Sequence, residues 1–301
     1  MTFYNDYSSY LLKKFGTKVY RIGIDAGFTC PNRDGTSGTA GCIYCDSAGS
    51  RSTYTDPRKS VRDQIADRIK FLQRSKRATK FIAYFQAFTN TYAPVEKLRD
   101  IYDAVTDFKE IAGLSIGTRP DAVDREKLKL IASYMDRYDV WVEYGLQSIH
   151  DKTFKIIRRG HDYGAFLRAY DMTKELGIKV CAHVILGLPD ESHEDMMSTA
   201  RALTELKVDG AKIHLLHILK GSELEKLYRE GMVKLLEQDE YAKLVSDFLE
   251  RLSKDIIIQR LTGEGSKESH VAPKWALDKM GTINRIKEEL ERRGSGQGSA
   301  I

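Results

Sequence analysis

Between residues 18 and 218, short runs rich in β-branched and aromatic residues alternate with amphipathic stretches of helical period. This alternation leaves few folds open. A strand can be followed by a parallel neighbour only after a crossover, and the usual crossover is a helix, so repeated βα units build a parallel sheet. The candidate strands are VYRIGID (19–25), KFIAYFQ (80–86), LSIGT (114–118), VWVEYGLQ (140–147), KVCAHVILG (179–187) and AKIHLLHI (211–218). From the second onward they recur roughly every 30 residues, the length of one βα unit. Helices are predicted near 61–75, 95–107, 124–138, 163–176 and 192–206, several opened by a capping residue such as Ser60, Asp124 or Ser192. Six units in a row predict an α/β fold, a partial (βα)6 TIM-like barrel.

Beyond residue 218 the pattern changes to helices at 222–230 and 237–253, a β-like run DIIIQRL (255–261), a polar loop and a closing helix over 273–293. The chain therefore divides into an N-terminal extension (1–17), a barrel core (18–218), a mostly helical C-terminal extension (219–293) and a tail, GSGQGSAI (294–301), whose small polar residues predict disorder. No apolar run approaches the roughly 20 residues that span a bilayer, and the first residues carry no signal-peptide core, so a cytoplasmic protein without a membrane partner is expected.

Four cysteines are a poor disulfide framework, and three of them crowd into one loop. Cys30, Cys42 and Cys45 form C-x11-C-x2-C in CPNRDGTSGTAGCIYC (30–45), directly after the first predicted strand. In α/β folds functional groups gather at the carboxy ends of parallel strands, where loops vary without disturbing the core. Gly35, Gly38 and Gly41 let the intervening backbone fold back and bring a third thiolate to a C-x2-C pair. Three thiolates leave one corner of an iron–sulfur cluster open for a small molecule, whereas a structural zinc site is closed by four ligands. Zinc stays open on the spacing, with Cys181 or His183 as a fourth ligand. Cys181 sits in an apolar run that predicts core burial, and His183 alternates onto the same face.

Charge is distributed unevenly. The net charge of the chain is +5, yet from Arg51 to Lys80 ten Lys or Arg face three Asp. Such a stripe is compatible with a track for phosphates and equally with a solvated helix face.

The widened cysteine triad, with the aromatic Tyr44 before its last member, resembles the radical S-adenosylmethionine (SAM) superfamily, in particular its elongator-like branch of tRNA enzymes. Further matches fall at successive strand ends: QAFTNT (86–91) where the superfamily carries a glycine-rich stretch, GTRPD (117–121), EYGLQS (143–148) and HVILGLPDE (183–191). The resemblance implies a [4Fe-4S] cluster on Cys30, Cys42 and Cys45 that reductively cleaves SAM to a 5′-deoxyadenosyl radical for C–H abstraction. It implies SAM contacts from Tyr44, Gln86, Thr89, Asn90, Arg119, Glu143, Gln147, Ile185 and Gly187. The stretch QAFTNT lacks the usual glycines, which leaves its carbonyls with Thr89 and Asn90 for the SAM amino group. Arg119 is alternatively a partner for Asp121, and Glu143 for a barrel arginine.

Nearly the whole chain, about 1–293, resembles the bacterial group typified by YhcC and YtqA, through FQAFTNTYAP (85–94), LHILKGSELEKLY (216–228) and RLTGEGSKESHVAPKW (260–275). Arg260, Glu264, His270, Lys274 and Trp275 of the last stretch either face a substrate or seal the barrel. This resemblance implies maturation of the tRNA wobble uridine from carboxymethylaminomethyl to aminomethyl. It also implies reduced flavodoxin or ferredoxin as electron donor and a downstream tRNA methyltransferase as partner. Arg58, Lys59, Arg62, Lys76 and Arg77, with Arg158 and Arg159, would then hold the anticodon stem-loop while the base enters the barrel mouth. The competing expectations are radical chemistry on a small metabolite or tetrapyrrole, and a non-catalytic zinc or iron–sulfur protein.

Overall fold

The structure, a computed structural model, describes residues 2–263 and 267–301. Its strands are β1 (Val19–Ile24), β2 (Lys80–Phe85), β3 (Ile111–Thr118), β4 (Asp139–Gln147), β5 (Lys179–Leu186), β6 (Gly210–Leu215), β7 (Ile218–Leu219), β8 (Ile257–Arg260) and β9 (His270–Ala272). The helices are α1 (Tyr7–Phe15), α2 (Val61–Lys76), α3 (Val95–Asp103), α4 (Arg125–Ala132), α5 (Asp151–Ile156), α6 (Tyr163–Glu175), α7 (His193–Glu205), α8 (Glu223–Arg229), α9 (Gln238–Glu250) and α10 (Lys279–Arg293). The main sheet runs β1-β2-β3-β4-β5-β6-β8, every pair parallel, while β7 and β9 form a separate antiparallel pair.

The expected partial barrel with a helical C-terminal part is present. It has seven strands where the six-unit reading expected six. The seventh, β8, comes from the C-terminal extension, with Gly210 registered on Ile257 and Lys212 on Arg260. The β-like run DIIIQRL thus joins the barrel sheet, so the core does not end structurally at residue 218.

Period-two alternation sorts the strand side chains. Ile22, Ile24, Phe81, Phe85, Leu114, Ile116, Val140, Val142, Val180 and Ile213 pack beneath the helices in one large cluster. Ile82, Trp141, Cys181 and Ile257, near the amino ends of their strands, form a second cluster with Tyr7 and Leu11 of α1. The N-terminal extension, for which the sequence predicted no element, therefore plugs the barrel floor. Asp6 caps α1, accepting from Ser9 N, and its backbone bridges Ile258 of β8.

One carboxylate ties this plug to the sheet. Asp139, fully buried at the start of β4, accepts from Lys14, from Lys179 at 2.8 Å, from Trp141 Nε1 at 2.9 Å and from Tyr10 Oη at 3.0 Å. Burial alone would raise its pKa, but Lys14, Lys179 and the indole hold it below the ordinary carboxylate value.

The tail over 294–301 corrects the expectation of disorder. Gln297 is buried: its N–H donates to Phe3 O at 2.9 Å, its Oε1 accepts from Asn5 N at 2.8 Å, and its Nε2 donates to Ile256 O at 2.8 Å. A small polar segment is held here because one amide side chain satisfies backbone groups from two other segments.

Two outcomes follow for stability. Because the folded pKa of Asp139 is depressed, its contribution is present above the unfolded value of about 3.9 and is lost as pH falls through the lower folded value. The difference in urea midpoint between the wild type and Asp139→Asn is expected to shrink from pH 7 to pH 3; equal differences at both pH values would refute it. Gln297→Ala, which strands backbone partners, is expected to lower the unfolding free energy by about 1–3 kcal/mol in the same measurement.

Candidate functional site

A cavity of about 690 Å³ opens at the carboxy ends of the strands. The long loop after β1 folds over one side of it. Within that loop Arg33 N donates to Cys30 O at 2.8 Å and Gly41 N to Asn32 O at 2.7 Å, while Gly35 and Gly41 take positive φ values of 96° and 75°. The buried Asn32 side chain donates to Arg158 O at 2.7 Å, and Ile43 N to Ile157 O at 3.1 Å. These bonds pin the loop to the segment after α5. Cys30, Cys42 and Cys45 all line the cavity as a result.

The thiols sit in unlike surroundings. Arg159, itself buried, donates from Nη1 to Cys42 Sγ at 3.5 Å and from Nη2 to Gly145 O. Burial raises the Cys42 thiol, yet Arg159 and, more weakly, Arg119 outweigh it and hold the pKa below the ordinary value. Cys45 is pushed up to about 11 by burial, against the pull of Arg33. Among the described residues no group of three or more His, Cys, Asp or Glu is gathered around one point as a single ion would need.

Of the expected SAM contacts, Tyr44, Gln86, Thr89, Arg119, Glu143 and Gln147 line the cavity. Asn90, Ile185 and Gly187 do not. Asn90 is fully buried and its amide donates to Gly117 O at 2.8 Å; Ile185 belongs to the core, and Gly187 packs against Leu236. Gln86 donates to Ser52 Oγ, and Gln147 takes a positive φ of 75° where β4 slips register against β5. Arg119 does hold Asp121, through Nε at 2.8 Å and Nη2 at 2.6 Å, while its Nη1 donates to Arg159 O at 2.9 Å. Gly117 and Gly145 keep the wall flat: a Cβ on Gly145 would stand 2.6 Å from Arg159 Nη2 and 2.8 Å from Gln147 Nε2.

Below the mouth lies a layer of charge, of which only a pairing of Glu143 with a barrel arginine was expected. Glu143, fully buried, accepts from Lys212 Nζ and from His183 Nε2 at 2.9 Å, and stands 3.7 Å from Arg21 Nη2. The alternative of a barrel arginine for Glu143 is thus met, with a lysine closer still. Lys212 Nζ also donates to Tyr84 Oη at 3.0 Å. Burial, then Arg21, pulls the Lys212 pKa down to about 7 against the attraction of Glu143. Burial and then Lys212 lower His183 to about 4. A lysine at the second position of the strand run AKIHLLHI was the available signal for a buried cation.

The basic residues expected at a nucleic-acid face separate. Arg58 pairs with Asp56 at 2.8 Å, Lys59 with Asp67 and Arg62 with Asp107, all exposed. Lys76 ends α2 and Arg77 caps it with φ 51°. Arg158 is exposed, 3.5 Å from Glu223. Arg159 is a correction: it is buried against Cys42, because a guanidinium withdrawn from water needs acceptors, and the thiol and a carbonyl supply them. Glu264 lies outside the described residues. Arg260 faces the cavity, whereas His270 Nε2 donates to Pro273 O at 2.7 Å and Trp275 Nε1 donates to Leu236 O at 3.1 Å.

Donor chemistry and unmet hydrogen bonding together describe what the cavity suits. Among the described residues, five lining side chains keep a buried polar atom without a hydrogen-bond partner: Tyr44 Oη, Thr89 Oγ1, Glu143 Oε1, Arg159 Nε and His214 Nε2. A polar ligand answers such atoms. Cys181, which would close a four-ligand zinc site, is fully buried at the floor with Tyr7 and Trp141. The residues therefore fit an iron–sulfur cluster on three thiolates with a polar small molecule beside it.

Comparison with known proteins agrees. The chain matches the Radical SAM superfamily over residues 30–203 and the Radical_SAM C-terminal domain over 208–292, and it belongs to that superfamily. The superfamily's cofactors, a [4Fe-4S] cluster and SAM, are those of this chain. Within it, the chain is 41% identical to YtqA of Bacillus subtilis over 98% of this chain and 92% of that protein, and 36% identical to YhcC of Escherichia coli over 99% and 95%. Similarity extends at 26% identity to a tRNA uridine(34) acetyltransferase of Dehalococcoides mccartyi, over 63% of this chain and 48% of that protein. The fold matches the archaeal Methanocaldococcus infernus Elp3 with its N-terminus deleted, at a TM-score of 0.68 and 20% identity, over 93% of this chain and 64% of that one.

The charge layer carries a direct expectation. Glu143→Gln leaves Lys212 and Arg21 buried without their counter-ion, and removal of one partner from such a pair costs about 3–5 kcal/mol. Chemical denaturation is expected to register that loss; a change within about 0.5 kcal/mol, ordinary for a neutral surface substitution, would show the layer to be hydrated.

Proposed function

We propose that the chain is a radical SAM enzyme that converts carboxymethylaminomethyl-uridine to aminomethyl-uridine at the tRNA wobble position. The observation that carries the radical chemistry is the placing of three thiols on the edge of one polar cavity, with Arg159 holding Cys42 toward its thiolate form. The similarity to a tRNA uridine(34) acetyltransferase supports the choice of substrate.

Cys30, Cys42 and Cys45 would hold the cluster, and Tyr44, Thr89 and Gln147 would contact SAM at the same edge. When bound, the two cofactors supply one-electron cleavage of a carbon–sulfur bond, an acceptor for a hydrogen atom and the oxidising equivalent. Arg159 offsets the charge of the thiolates, and Arg119 braces it through its carbonyl. The flat Gly117–Gly145 wall lets a planar group approach the backbone. On the substrate, abstraction from the methylene between amine and carboxylate gives a captodatively stabilised radical. One-electron oxidation to the imine and hydrolysis then leave a primary amine and glyoxylate.

Outside the cavity, Arg58, Lys59, Arg62, Lys76, Arg77 and Arg158 would meet phosphates of the anticodon stem-loop, with Arg58, Lys59, Arg62 and Arg158 exchanging carboxylate partners for RNA. The superfamily's chemistry needs a reductant, and we assign that role to reduced flavodoxin or ferredoxin, with a tRNA methyltransferase acting on the product. Among the described residues no helix is long and apolar enough to cross a membrane; we assign the cytoplasm as the site of action because the proposed substrate, tRNA, is there.

The test is mass spectrometry of tRNA nucleosides from cells with and without the gene. Carboxymethylaminomethyl-uridine is expected to accumulate at the expense of aminomethyl-derived nucleosides when the gene is absent. An unchanged wobble-uridine profile removes the tRNA assignment and favours a small-molecule substrate.

A further inference from the structure

The cations lining the cavity are not equivalent. Arg33 donates to Asp46 O, Arg51 stands 3.5 Å from Asp25, Arg119 holds Asp121, and Arg159 is taken by Cys42 and Gly145. The Arg260 side chain, at the end of β8, makes no hydrogen bond or ion pair among the described residues, yet it lines the cavity. Although Asp46 lines the same cavity, among the described residues no carboxylate stands within ion-pair distance of Arg260. It acts electrostatically on Tyr84, His183, Lys212, His214 and His217, and Glu143, the nearby carboxylate of the barrel interior, is occupied by Lys212 and His183.

The histidines extend the same wall. His183 and His214 lie with ring centroids 5.3 Å apart, His217 turns Nδ1 to Leu215 O at 3.1 Å, and His214 keeps a buried Nε2 with no partner. Burial lowers the pKa of all three, aided by Lys212 at His183 and by Arg260 at His214, and at His217 against the Leu215 carbonyl and Asp46. A neutral imidazole has one N–H to donate, and with an unpaired guanidinium lining the same cavity it would bind an oxyanion.

The geometry points to an oxyanion subsite formed by Arg260 and His214, beside His217, which takes a carboxylate or phosphate carried by the substrate. The subsite belongs to the C-terminal part of the chain, whereas the cysteines and the cations that serve them belong to the loops after β1, β3 and α5. The cavity thus has a cofactor side and a substrate side. The identification of the carboxylate as that of the wobble-uridine side chain rests on the proposed function; the oxyanion subsite does not.

Binding to cluster-loaded protein tests this, with wild type, Arg260→Gln and Arg260→Lys compared. Two anticodon stem-loop RNAs differing only in a carboxymethylaminomethyl or aminomethyl uridine cancel the contribution of the RNA backbone. Wild type is expected to prefer the carboxylate form by about tenfold, Arg260→Gln to erase the preference, and Arg260→Lys to keep part of it, while SAM affinity stays within about twofold. Parallel loss of SAM affinity, or a preference surviving in a folded Arg260→Gln, overturns the assignment. A second arm titrates acetate and inorganic phosphate against the histidine ring signals in NMR spectra of the same proteins. A response to either anion that Arg260→Gln abolishes supports the subsite even if neither RNA is distinguished, which would count against the wobble-uridine reading alone, and the stronger anion names the group. No response in wild type, together with no RNA preference, overturns the subsite itself.

Discussion

A carboxylate sealed inside a barrel is stable only if charge surrounds it, and Glu143 is where that requirement is met. Lys212 from β6, His183 from β5 and Arg21 from β1 converge on it, so the strands that carry them cannot slip or splay without exposing an unpaired ion. Burying this much charge adds little or nothing to stability by itself. What it fixes is register: the contacts reach across the curled sheet from its first strand to its sixth. The layer also separates the dry floor, with Trp141 and Cys181, from the polar cavity above.

The cavity inherits its asymmetry from that arrangement. Arginines near the cysteines are committed to the protein: Arg159 to a thiol and a carbonyl, Arg119 to Asp121 and to Arg159. They hold an electrostatic setting in place. Arg260 and His214, lining the same cavity, have side-chain groups that nothing among the described residues answers.

What could be read from the chain beforehand divides along physical lines. The strands of the parallel sheet were legible because both their faces are buried, which writes continuous apolar runs into the sequence. The cysteine loop was legible because thiols are rare and their spacing is chemical. The plugging helix α1 was not, since YSSYLLKKF shows only a short stripe whose value depends on the barrel floor it meets. Nor was the docking of Gln297, where one amide among glycines and serines finds backbone partners far off in sequence. Arg158 and Arg159 show the limit of charge reading: adjacent residues of one type, the first at the surface and the second buried against a thiol, because a left-handed turn at Arg158 sends their side chains apart. Asn90, in a motif matched by family resemblance, serves a backbone carbonyl rather than the cavity, since motif matching fixes position along the chain and not the direction of a side chain.

That β8 is borrowed from the far end of the chain has an implication for how such a catalyst can diversify. The cysteine loop and the strand that bears Arg260 are written in separate stretches of sequence, joined by the pairing of β6 with β8 and by contacts such as Leu224 N to Ile43 O and Arg158 to Glu223. Variation confined to the later stretch can retune which molecule is admitted while leaving the radical-generating apparatus intact, so one ignition system can serve many fuels.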